Sequence, residues 1–162
     1  MISLVGCGPS KVSPTQWAAT VCSAVAPWRT QISSLNAQAQ QQISAARSAG
    51  QVRDSLLTLL DGGVQASEAA RAKVAAAGVP DVDGGAQIAA RFADSLTRVR
   101  EAYRHARTDL QSLPTSDASG FYDGVVAVLA RLQTEYAASA LDTTNLDAPA
   151  LREAFDGVDQ CR

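Results

Sequence analysis

Apolar residues recur along most of this chain at steps of three and four, the spacing that gathers them on one face of an α-helix, and Val, Ile and Thr form no alternating runs of the strand type. The first such stripe follows Ser13-Pro14-Thr15-Gln16, a helix start in which Ser13 can cap, Pro14 suits the first helical position and Gln16 completes a capping box. Beyond it Trp17, Val21, Ala24, Trp28, Ile32, Leu35, Ala39 and Ile43 share one face, and Pro27 within the pattern predicts a kink or a division. A second helix is predicted from about Gln51 to Ala77, with Leu56, Leu60, Val64 and Val74 inward. Gly62-Gly63 interrupts it at a propensity cost of about 1 kcal/mol per glycine relative to alanine, which predicts a bend or break. Gly78-Val79-Pro80 ends it, and Asp81 or Asp83 is expected to cap the next helix.

The third stripe is the clearest: Ile88, Phe92, Leu96, Val99, Tyr103, Ala106, Leu110 and Leu113, closed by Pro114. Its polar face carries Arg91, Arg98, Arg100, Arg104 and Arg107 against Asp94, Glu101 and Asp109, with Asp94 and Arg98 one turn apart. A fourth helix follows Asp117 with Phe121, Val125, Val128, Leu132 and Tyr136 inward. A short fifth, from Asp147 to about Gly157, buries Leu151 and Phe155. Long helices with short connections predict an all-α fold, an up-and-down bundle of four main helices plus a short C-terminal helix. Alanine at many inward positions brings helices close and argues against a large ligand cavity. Residues 1–12 read as a signal remnant and tether, and residues 13–162 as a single helical domain.

Composition narrows the functional classes. Hydrophobic residues make up 46 % but aromatics only 5 %, and no apolar run approaches the ~18 residues of a membrane span, Val125 to Ala130 being typical of the longest. A net charge of −2 with interspersed signs provides no basic field for nucleic acid or anionic lipid.

The three cysteines carry the strongest chemistry. Leu4-Val5-Gly6-Cys7 has the form of a bacterial lipobox, in which a small residue precedes the cysteine that becomes lipidated; Cys7 would then anchor the protein to a membrane. That leaves Cys22 and Cys161, which in an oxidising compartment can form one disulfide closing nearly the whole domain, worth about 5 kcal/mol by chain entropy. The alternative is two unpaired thiols in a cytosolic protein, one of them a small buried hydrophobe. Six residues precede Cys7 and none is basic, so the lipoprotein reading expects the basic and apolar regions of a signal peptide to lie upstream.

Other chemistry is sparse. His105, the single histidine, falls off the apolar stripe with no serine marked as its partner and too few companions for zinc; a solvated surface position is expected. Asp81-Val82-Asp83-Gly84 opens like a calcium loop, yet Phe92 stands where the bidentate glutamate is needed. No cofactor or metal is implied. Trp17, Trp28, Arg100 and Arg104 are candidates for a binding surface, weighed against a core role for the tryptophans and a solvated face for the arginines.

The lipobox cysteine, the first helix with Trp17 and Cys22, the Gly78 to Pro80 link into the long helix Ile88 to Leu113, and the run from Leu151 through Phe155 to Cys161 together resemble a group of actinobacterial secreted or lipid-anchored α-helical proteins of unassigned function. The resemblance implies location and fold, not activity. The expectation is therefore a non-enzymatic lipoprotein on the extracytoplasmic face of the cell membrane, anchored by lipid on Cys7, that binds another envelope protein. A carrier or sensor of a small apolar ligand held between helices is the alternative, and an enzyme using carboxylates from separate helices is a third.

Overall fold

The computed structural model describes residues 10–139, 146 and 148–161. The element order is β1 (Lys11–Val12), α1 (Pro14–Ala45), α2 (Ala49–Ala75), β2 (Val79–Pro80), α3 (Gly85–Ser112), α4 (Ala118–Ser139), α5 (Pro149–Gly157) and a terminal 3₁₀ turn (Asp159–Cys161). The architecture is the expected bundle of four main helices with a short fifth, closed by the Cys22–Cys161 disulfide. Cys7 and the polar loop 142–145 lie outside the described residues.

Local chemistry explains most helix boundaries. The Ser13 hydroxyl accepts from the Gln16 amide at 3.2 Å, capping α1. α2 starts earlier than expected because Ser48 accepts from the Gln51 amide at 3.3 Å while Gln51 Oε1 accepts from the Arg47 amide, a capping-box exchange set one residue back. Asp117 receives the amides of Ser119 and Gly120 and so opens α4. Neither Asp81 nor Asp83 caps α3: that role falls to Gly84 in the left-handed conformation (φ 69°), and Asp81 instead pairs with Lys11 at 3.0 Å.

Neither of the two predicted interruption sites divides its helix. α1 runs on through Pro27, with Ala24 and Trp28 on either side packed against the same core. α2 continues through Gly62-Gly63, where the glycines make room for neighbours. A Cβ at Gly62 would stand 2.7 Å from the Leu35 side chain, and one at Gly63 would stand 2.6 Å from the Tyr103 ring. Helix propensity is a weak prior against close approach of this kind.

The core has two storeys. The lower one joins Trp17, Val21 and Ala24 of α1 to Ala70 and Val74 of α2, Ile88, Phe92 and Leu96 of α3, and Leu151 of α5. The upper one joins Val52, Leu56 and Leu60 of α2 to Val99, Tyr103 and Leu110 of α3 and Phe121, Val125 and Val128 of α4. Trp28 packs against both.

Residues 11 and 12, expected to be free tether, are docked. β1 pairs in parallel with β2, Lys11 beside Val79 and Val12 beside Pro80, with the Val79 amide donating to Ser10 O and the Asp81 amide to Val12 O. Gly78 makes this possible: its φ is +81°, and a Cβ there would lie 2.8 Å from Ser10 O. Among the described residues no helix is long and apolar enough to cross a membrane.

Candidate functional site

α2 and α3 form the middle of the bundle, with α1 packed on α2 and α4 packed on α3. The outer helices α1 and α4 touch mainly where Trp28 stacks on Tyr136, with ring centroids 6.4 Å apart and planes 10° from parallel. Below that stack they separate, and α5 closes the gap from beneath. The result is a cleft of about 630 Å³ bounded by α1, α3, the end of α4 and α5. The close approach of alanine-lined helices argued against a large cavity; this seam departs from that expectation, because its space arises where two helices do not meet.

Two aromatic groups bracket the cleft. At the lower end Phe92 and Phe155 stack at 5.7 Å while Trp17 meets both edge-on, at 5.0 and 6.0 Å. At the upper end Trp28 stacks on Tyr136, which meets Tyr103 edge-on at 6.4 Å. Burial pushes the Tyr103 phenol up to about 12. The Tyr136 phenol is also raised by burial, and the positive charge of nearby Arg29 opposes that rise. The wall between is mostly apolar, with Val21, Val25, Leu96 and Val99, and its polar groups are largely satisfied internally. Ser95 Oγ donates to the Ser139 carbonyl, Ser139 Oγ donates to the Tyr136 carbonyl at 2.6 Å, and Trp28 Nε1 donates to Ser67 Oγ at 3.1 Å.

Cys22 and Cys161 line the lower end of the cleft as a disulfide, Cα atoms 5.0 Å apart and 139 residues apart in sequence. The bond pins the terminal turn to α1, beside the small contact of Ala18 with Ala154 and Val158.

The four surface candidates separate. Trp17 is fully buried, its Nε1 donating to the Gly78 carbonyl at 3.1 Å, so it offers no binding surface. Trp28 lines the cleft. Arg100 is not a free solvated group: it bridges α3 to α2, held by Glu68 and by Glu101 at 2.7 Å. Arg104 rests on Glu101 at 3.3 Å. The same side of the bundle carries Arg107 with Asp61 and Arg131 with Asp109, so its charges bind helix to helix, while the expected Asp94–Arg98 pair does not form. Hydrogen bonds from Arg71, then Arg100, lower the Glu68 carboxyl to about 2.

His105 lies on the surface with Nδ1 2.9 Å from Glu135 Oε2, linking α3 to α4; that contact is the first cause of a lowered Glu135 pKa. Among the described residues no three His, Cys, Asp or Glu side chains come together as a metal site would require.

Sequence reasoning missed Arg29, Tyr136, Ser95 and Phe155 as cleft residues. One signal was present: Arg29 is the only charged residue in the 32-residue α1. A separate apolar stripe runs along α4, where Tyr122, Val126 and Leu129 are exposed, Val126 by 68 %.

No family model, curated protein or solved structure matches this chain. The functional reading rests on the cleft, the disulfide and the surface.

Proposed function

We propose that this protein is a non-enzymatic lipoprotein of the cell envelope, anchored through lipid on Cys7 at the outer face of the membrane, and that it works by binding, with another envelope protein as its partner. The Cys22–Cys161 disulfide carries the reading: a bond spanning 139 residues persists in oxidising compartments and is rare in reducing ones. The exposed stripe of Tyr122, Val126 and Leu129 on α4 supports a protein partner, since exposed apolar patches mark interaction surfaces. The test is the intact mass of the protein from its native membrane fraction, before and after reduction. A lipid adduct on Cys7, a two-dalton gain on reduction, and release of a Cys7→Ser variant from membranes are the expected results. An unmodified chain with free thiols would overturn the reading.

The cleft favours a second reading, a carrier or sensor of a small apolar ligand. Its volume of about 630 Å³ lies within the range of small-molecule sites, and its walls are mainly apolar.

A further inference from the structure

The cleft holds two charged side chains, and they differ in one respect. Asp156, at the lower end beside Cys161, is engaged by a partner. Arg29, at the upper end beside Trp28, makes no ion pair or hydrogen bond among the described residues. Its placement follows from helix geometry. Cys22, Val25 and Arg29 lie one turn apart on α1, all three line the cleft, and Arg29 is exposed at its mouth. The cation at this mouth is therefore unspent, whereas Arg100, Arg107 and Arg131 on the opposite side are each held by a carboxylate. Arg29 lines the same end of the cleft as Trp28 and Tyr136, which sets its charge beside the aromatic groups there.

We infer that the cleft binds a single-chain amphiphile with an anionic head. The acyl chain lies along Val21, Val25, Leu96 and Val99 toward Phe155, and the head-group oxygens take the Arg29 guanidinium, whose planar fork matches a carboxylate or a phosphate equally well. This rests on the small-ligand reading above and names its chemistry. From Cys22 to Thr30 the cleft follows α1 for ~12 Å at 1.5 Å per residue, enough for an acyl chain of medium length.

The test uses tryptophan fluorescence of the purified, disulfide-intact protein, since Trp28 lines the cleft and Trp17 is fully buried. Dodecanoate, dodecyl phosphate and dodecanol share one chain and differ in the head. An anion is expected to bind saturably and about tenfold more tightly than the alcohol, the worth of one charge-assisted contact. Arg29→Gln removes that preference without weakening the alcohol, and Arg29→Lys keeps most of it. A preference for the carboxylate points to a fatty acid and one for the phosphate to a phosphate-headed lysolipid; either supports the inference. Equal binding of acids and alcohol, or a preference that survives Arg29→Gln, overturns the role of Arg29. No saturable response to any of the three overturns the ligand class, and the lipid anchor on Cys7 stands or falls separately by mass.

Discussion

Replacing Gly63 by alanine tests whether packing or propensity governs the middle of α2. Propensity alone says that the change stabilises by about 1 kcal/mol, because glycine is the poorer helix former. The structure says the opposite. The new Cβ would stand 2.6 to 2.8 Å from three atoms of the Tyr103 ring, which is buried and backed by Tyr136, itself stacked on Trp28. A rigid ring with neighbours behind it cannot yield cheaply, which puts overpacking toward the upper end of its usual range, about 3 kcal/mol. The net expectation is a loss of about 2 kcal/mol, or a shift of about 1 M in the urea midpoint at an m-value of about 2 kcal/mol/M. Gly62→Ala is the internal control. Its Cβ would meet the branch ends of Leu35, a half-buried side chain that can turn away, so clash and propensity nearly cancel. Urea unfolding of both variants with the disulfide intact is the assay, and adding Tyr103→Leu to Gly63→Ala should recover part of the loss. A Gly63→Ala protein as stable as the parent would refute the packing argument.

Two further outcomes are expected. Reducing the disulfide, or replacing Cys22 and Cys161 by serine, should lower unfolding free energy by several kcal/mol, up to about 5 by the chain-entropy relation for so long a loop; a loss below about 1 kcal/mol would mean the terminal turn is held without it. Glu68 titrates below its ordinary 4.5, near 2, so its contribution is present in full above about pH 4.5 and is lost as pH falls toward 2. Glu68→Gln should therefore flatten the pH dependence of stability in that window, as read by thermal melts at fixed ionic strength, and an unchanged slope would contradict the assignment.

The four long stripes were legible because a helix that buries one face must repeat its apolar residues every three or four positions. The disulfide was legible from cysteine parity once Cys7 was set aside. Ser48 and Gln51 carried the capping-box pattern for α2, and Arg29 stood out as the lone charge of α1. Other features depend on what lies across the fold. Gly62 and Gly63 look like breakers until Leu35 and Tyr103 are seen to need their space. Two-residue strands such as Lys11–Val12 have no periodicity to detect. Arg100 faces outward on its own helix and becomes a bridge only because Glu68 of α2 lies beside it. The cleft was the least legible, since it depends on the spacing of α1 and α4, to which no single stripe refers.

The short β1–β2 ladder also orients the molecule. It fixes the chain from Ser10 onward to the α2–α3 link, so two residues separate Cys7 from the folded body, a span of at most ~10 Å from Cys7 to Ser10. The disulfide brings Cys161 back to the first third of α1, at that same pole. With a lipid on Cys7, the ladder, α5 and the lower end of the cleft would face the bilayer at close range. The α1–α2 and α3–α4 turns would stand at the far pole, ~40 Å away along the 27 residues of α2. A reporter inserted at either turn would report from the distal tip, and one joined after Cys161 would sit beside the lipid headgroups.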